Sequence, residues 1–230
     1  MTGLPRTTVP RGPVRRTARD VTATITASGL VAILRAPTAR HFPAVAEALV
    51  EGGVRAIEVT LTSEGALSCL STLSRAHGDD VVIGAGTVMS ADQAEACLEA
   101  GASFLVSPVA APDVAAAARI AGAAVYPGAL TPTEIAAAVH AGAAAVKLFP
   151  ASAVPPRYIQ DVHGPLPGVP IIPTGGITLA AVPAWIAAGA AAVGLGGPLI
   201  GPAATDGPTP ALTARARQAL DLVTAARSTP

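Results

Sequence analysis

HAGAAAVKLF, residues 140–149, carries a helix-forming stretch up to a glycine and leaves it as a run of β-formers. The same phrase recurs as EGGVRAIEV (51–59), EAGASFLV (99–106), IAGAAVYP (120–127) and AAGAAAVGL (187–195). Glycine just past a helix suits the left-handed C-cap conformation, which other residues adopt at a steric cost. Each copy therefore predicts a helix, a left-handed glycine and a strand. Self-similarity of this kind points to a repeated architectural unit.

Extending outward from these copies gives eight short apolar runs: LVAILRA (30–36), RAIEVTL (55–61), VVIGAGT (81–87), SFLVSP (103–108), AVYPGA (124–129), AAVKLFP (144–150), VPIIPTGG (169–176) and AAVGLGG (191–197). Helix-length stretches separate them, several opened by cap or first-turn signals such as SADQAEA from Ser90 and TPTEIAA from Thr131. Strand and helix alternating eight times predict an α/β fold with a parallel sheet and right-handed crossovers. Eight such units in about 200 residues suit a (β/α)8 TIM barrel. An additional N-terminal helix is expected over 17–28, before the first strand. An open doubly wound sheet would show a dinucleotide or switch-point glycine loop after the first strand. That strand ends instead in LRAPTAR (34–40).

Residues 17–230 read as a single domain. Residues 1–16, rich in Arg, Pro and Thr and without the apolar core of a signal peptide, read as a flexible tail. Hydrophobic residues make up 51% and charged residues 13%, which places the chain in the soluble globular class. A formal net charge of zero recommends no nucleic-acid partner. No apolar run reaches the roughly 18 to 20 residues of a membrane span, and a cytoplasmic protein is expected. Cys69 and Cys97 lie outside any CxxC spacing and read as buried reduced thiols. His41, His77, His140 and His163 show no HxH or HExxH spacing, so no metal site is expected.

Side chains alternate in and out along a strand. With Val146 and Leu148 packed outward, Lys147 points into the barrel. With Ile57, Val59 and Leu61 outward, Glu58 and Thr60 point in. Beyond Val31 and Ile33, Arg35 falls inward or at the rim. Side chains in one barrel layer come from alternate strands, so the second and sixth runs can share a layer and bring Glu58 to Lys147. A structural ion pair is the plain reading of such a couple, though buried pairs are costly to desolvate.

Lys147 is the only lysine among fifteen basic residues, the other fourteen being arginine. Arginine cannot replace lysine in one reaction, attack on a carbonyl to form a Schiff base, because guanidinium stays protonated. The imine is an electron sink that lets a neighbouring carbon–carbon bond break. A carboxylate beside it can shuttle the protons, and Glu58 has that chemistry. PTGGI (173–177) and GLGGP (194–198) follow the seventh and eighth runs, where backbone amides of these barrels commonly bind phosphate.

EVTLT with Glu58, GAGTV with Thr87, SP with Pro108, YPGALTPTE, VKLFPAS with Lys147 and PTGGI together resemble the 2-keto-3-deoxy-6-phosphogluconate (KDPG) and 4-hydroxy-2-oxoglutarate (KHG) aldolases, over about residues 28–200. The resemblance implies a class I aldolase of Entner–Doudoroff-type carbohydrate metabolism, releasing pyruvate and an aldehyde such as glyceraldehyde 3-phosphate without metal or cofactor. It implies Lys147 as the Schiff-base residue and Glu58 as general acid/base. It further implies substrate binding by Arg35, Thr87, Pro108 and Phe149, with Thr87 on the pyruvyl carboxylate. Phosphate would sit on the Gly175–Gly176 and Gly196–Gly197 turns. The implied partner is a small phosphorylated 2-keto-3-deoxy sugar acid and the implied assembly a homotrimer.

Two departures bear on the substrate. Thr62 stands where several relatives carry arginine, and Arg35 resembles an arginine that can supply the cation. Gly197 stands where a serine is usual, leaving backbone donors alone, and Arg157 is a surrogate cation at a position that suits a solvated surface. Tyr126 and Trp185 read as packing residues. Three alternatives stay open: a 2-dehydro-3-deoxy-6-phosphogalactonate aldolase, a phosphosugar isomerase or synthase using Lys147 non-covalently, and a ligand-binding barrel without catalysis.

Overall fold

All five glycines that recur in the repeated phrase take positive φ: Gly53 (96°), Gly101 (99°), Gly122 (69°), Gly142 (88°) and Gly189 (100°). At each of them the helix closes through paired backbone bonds, as where Gly142 N–H donates to Val139 O at 3.0 Å and Ala143 N–H to Ala138 O at 3.1 Å. That pattern satisfies carbonyls a helix end leaves open and turns the chain into the next strand.

The computed structural model describes residues 16–78 and 80–228; most of the expected tail lies outside them. The chain runs α1 (Ala18–Ser28), β1 (Leu30–Leu34), α2 (Phe42–Glu51), β2 (Ala56–Thr60), α3 (Ala66–His77), β3 (Val82–Gly86), α4 (Ala91–Glu99), β4 (Phe104–Val106), α5 (Pro112–Ala121) and β5 (Ala124–Tyr126). It continues through β6 (Gly128–Ala129), α6 (Pro132–His140), β7 (Val146–Leu148), α7 (Tyr158–His163), β8 (Ile171–Pro173), α8 (Val182–Ala187) and β9 (Val193–Leu195). Two one-turn helices, α9 (Gly197–Ile200) and α10 (Ala203–Asp206), lead to α11 (Pro210–Ser228). Ser90 and Thr131 cap α4 and α6 as their sequences predict, the latter in a full capping box with Glu134.

The strands pair in parallel, in a six-stranded sheet ordered β5-β4-β3-β2-β1-β9 and a three-stranded sheet ordered β6-β7-β8. The fifth apolar run is thus two strands rather than one. Pro127, which has no N–H to give to a ladder, separates β5 from β6. A parallel bridge between Thr174 and Gly194 links β8 to β9. The sixth and seventh runs form strands of three residues, and the helix after β7 shrinks to a 3-10 turn and the six residues of α7.

Side-chain alternation produces two apolar layers. Ile57, Val59, Leu105, Val146, Leu148, Ile171 and Val193 pack outward against the helices. Val31, Ile33, Val82, Phe104, Val106, Tyr126 and Ile172 form the inner layer, joined by Val21 and Ile25 of α1. α1 lies against β1, β2, β3 and β5, and its core partners include Ala56, Val82 and Ala124 at the strand beginnings. It therefore covers the end of the strands opposite the Gly175–Gly176 and Gly196–Gly197 turns. Cys69 and Cys97 are buried free thiols, and burial pushes each up to about 11. Among the described residues no helix is long and apolar enough to cross a membrane.

Candidate active site

Glu58 and Lys147 line one narrow inner cavity, with Val31, Phe104, Val106, Tyr126, Ile172, Thr174 and Gly194. Lys147 is 4% exposed at the middle of β7, held by its outward neighbours Val146 and Leu148. Glu58 is 2% exposed at the middle of β2. Strand parity thus brings the two together as expected, from positions 89 residues apart in sequence (147 − 58). They form no ion pair within 4.0 Å, the pair found among the described residues being Arg217–Glu51 at 3.6 Å. Glu58 Oε1 is buried without a hydrogen-bond partner, and Lys147 Nζ stands 5.2 Å from the centre of the Phe149 ring. A buried acceptor left unpaired costs about 1–3 kcal/mol. A simple structural ion pair is therefore a poor description of this couple.

Room for the carboxylate comes from β3. A methyl group at Gly86 would run into the Glu58 carboxylate and come within 2.6 Å of its Cγ, and one at Gly84 would run into the Phe104 ring. Two of the three inward positions of VIGAG (82–86), after Val82, are glycine because neighbouring side chains occupy that space.

A second, outer and roomier cavity opens toward the ends of the strands. Ile33, Arg35, Lys147, Phe149, Thr174, Gly175, Gly176, Gly194, Gly196, Gly197 and Pro198 are among its walls. Lys147, Thr174 and Gly194 line both spaces, so the amine stands where they meet. Arg35 is exposed at the rim, and its Nη2 donates to Thr87 Oγ1 at 3.3 Å. Thr87 holds φ at +60°, a left-handed backbone that costs a threonine roughly 1–3 kcal/mol. That strain aims the hydroxyl at the arginine. Gly175 (φ 93°) and Gly176 (φ 77°) pass close under Phe149 and Ser152: a methyl on them would stand 2.9 Å from the Phe149 ring and 2.6 Å from Ser152 Cβ. The N–H groups of Gly175, Gly176 and Gly197 donate to no carbonyl among the described residues.

Eight of the ten residues singled out in the sequence wall the two cavities, and Thr87 joins them through Arg35. Pro108 does not: it lines neither cavity, and its carbonyl packs where a side chain at Gly128 would stand. Arg157 is exposed and lines neither space, whereas Thr62 is exposed and shares a 3.2 Å hydrogen bond with Thr60 Oγ1. Two further cavity residues carry hydroxyls: Thr174, which the sequence reading did not single out, and Tyr126, which it read as packing. Thr174, 6% exposed, follows Ile172 by two in the inward phase of IIPT (171–174), and that alternation was the available signal. Tyr126 serves as core and cavity wall at once; its ring stands 5.5 Å from that of Phe104 and its hydroxyl 3.0 Å from Thr22 Oγ1 of α1. Burial pushes this phenol well above the ordinary tyrosine value, the Thr22 hydrogen bond pulling the other way.

Residues 21–207 match the family model of the KDPG and KHG aldolases. The chain is 37% identical to a 2-dehydro-3-deoxy-6-phosphogalactonate aldolase of Escherichia coli strain K12, over 74% of its own length and 83% of that protein. It is 35% identical to a 2-dehydro-3-deoxy-phosphogluconate aldolase of Pseudoalteromonas atlantica, over 65% and 69%. Among solved structures, a KDPG aldolase from Legionella pneumophila, with pyruvate captured as a covalent carbinolamine intermediate, is 27% identical with a TM-score of 0.74, over 89% and 97% of the two chains. The matched span contains every residue of both cavities, and the chain belongs to the family of KDPG and KHG aldolases, lyases that cleave carbon–carbon bonds.

Proposed function

We propose that the protein is a class I aldolase that reversibly cleaves 2-dehydro-3-deoxy-6-phosphogluconate, with KHG as a second substrate, into pyruvate and an aldehyde. The observation that carries this reading is the inner cavity, where the chain's single lysine and an unpaired buried carboxylate face the same small space. The Lys147 amine attacks the C2 carbonyl, and water leaves to give the imine. Glu58 takes the proton of the C4 hydroxyl as the C3–C4 bond breaks, its electron pair moving into the protonated imine. The aldehyde departs, the enamine takes a proton at C3, and water releases pyruvate and restores the amine. No step needs a metal or cofactor. The carbinolamine captured in the Legionella pneumophila relative supports the covalent route.

The outer cavity takes the rest of the substrate. Arg35 and Thr87 suit a carboxylate, and the free N–H groups of the two glycine turns suit a phosphate. The similarity to the Escherichia coli galactonate enzyme favours the 6-phosphogalactonate epimer as a second reading. The scaffold is read as one domain over 17–230, its two sheets closing as a single (β/α)8 barrel. The Thr174–Gly194 bridge supports that closure on one side, and the single run 124–129, which gives β5 to one sheet and β6 to the other, supports it on the other. The assembly is read as a cytoplasmic homotrimer, and sedimentation at three times the chain mass tests it.

Incubation with pyruvate, reduction with borohydride and mass analysis of peptides test the chemistry. A reduced pyruvyl adduct on the peptide holding Lys147 is expected. A folded protein that gains no adduct at saturating pyruvate would rule the class I reading out.

A further inference from the structure

We propose that Arg215 is a positioning residue that sets the Gly196–Gly197 turn, and through it the selectivity for a phosphorylated substrate. This rests on the reading of that turn as part of the phosphate-holding wall. Arg215 lies on α11, half-buried and outside the walls of both cavities. Its Nε donates to Leu199 O at 2.9 Å and its Nη2 to Ile200 O at 3.0 Å. One planar guanidinium thus grips two successive carbonyls, a geometry that fixes direction as well as distance.

Those carbonyls end α9, a single turn with few bonds of its own. Leu199 N–H and Ile200 N–H both donate to Gly196 O at 2.9 Å, and Gly201 N–H to Gly197 O at 2.7 Å. A turn this short cannot set its own orientation. Gly201 (φ 59°) makes way for the clamp, since a methyl there would stand 2.9 Å from Arg215 Nη2. The clamp itself is anchored, because Leu212, Ala216 and Ala219 hold the same stretch of α11 in the core. On the other side of the turn, Gly196, Gly197 and Pro198 wall the outer cavity, and nothing lies within 4 Å of where a Gly197 side chain would begin. The cavity face of this turn carries no polar side chain. With no hydroxyl to swing toward a ligand, its selectivity depends on where the backbone stands, which Arg215 determines. Lys147 independently marks this space as a ligand site, being 4% exposed, turned into the same cavity and without a carboxylate within 4.0 Å.

The test compares kcat and KM for 2-dehydro-3-deoxy-6-phosphogluconate and for unphosphorylated KHG, in the parent protein, Arg215→Met and Arg215→Lys. The parent is expected to favour the phosphorylated substrate. Arg215→Met should raise KM for it roughly tenfold and leave kcat and KM for KHG near the parent values. Arg215→Lys, which keeps a donor but loses the fork, should fall between. Equal losses on both substrates, an unchanged preference in folded variants, or failure of both variants to fold would overturn the proposal and leave Arg215 a structural residue. A parent that shows no preference for the phosphorylated substrate overturns the phosphate reading itself, and that outcome is visible before any variant is made. Pyruvate trapping at Lys147 in each variant, expected unchanged, separates both outcomes from a loss of the catalytic chemistry.

Discussion

At the scale of single residues, the chemistry rests on Glu58 and on the space that Gly86 leaves for it. Glu58→Gln removes the proton acceptor, keeps the volume, and should lower kcat roughly 10²–10⁴-fold. Gly86→Ala makes the sharper test, since the three atoms nearest its methyl all belong to the Glu58 side chain. A kcat loss approaching that of Glu58→Gln is expected, with about 1–3 kcal/mol of destabilisation in urea melts. Unchanged kcat in folded Gly86→Ala would show that β3 does not position the carboxylate. Lys147 and Glu58 were both legible in sequence because strand alternation has a period of two and each interrupts an apolar run. Thr174 obeys the same alternation, but the two glycines that follow it make PTGG (173–176) read as a turn. Pro108 shows the opposite limit: a motif can match a family while the residue itself packs against a neighbouring backbone.

At the scale of elements, the caps were the most readable features, because they depend on residues three or four apart. TPTE (131–134) closes as the capping box it spells, with Glu134 Oε2 accepting from Leu130 N–H at 2.9 Å and Thr131 N–H at 2.8 Å. Those backbone hydrogen bonds, with one from the Thr131 hydroxyl, hold the Glu134 carboxyl below its ordinary 4.5. A lowered folded value means stability that is complete above the unfolded value and lost as pH falls through the folded one. The parent should therefore lose more stability than Glu134→Gln when urea melts are taken from neutral pH to below the ordinary carboxylate range. Parallel curves for the two would contradict the assignment. What the element scale hid were bonds between distant segments. Arg227 near the end of α11 donates to Ala27 O at 2.7 Å and Thr26 O at 2.6 Å, closing the end of α1 from some 200 residues away.

At the scale of the whole molecule, α1 is tied to the interior by the packing of Val21 and Ile25 and by the Thr22–Tyr126 hydroxyl pair. Tyr126→Phe should cost about 0.5–1.5 kcal/mol in urea melts while pyruvate trapping persists. Loss of trapping with stability unchanged would move Tyr126 from the packing of the inner layer into the chemistry. Strand and helix order, the left-handed glycines, the caps and the inward phase of Lys147 and Glu58 were determined by the sequence by itself, because each follows from periods and propensities within a few residues. Which inward residues share a cavity was decided by the tertiary structure alone. So were the unpaired state of the Glu58 carboxylate, the strained Thr87 facing Arg35, and the grip of Arg215 on α9. These depend on how strands are staggered and how far side chains reach across segments distant in sequence, and no local pattern encodes that.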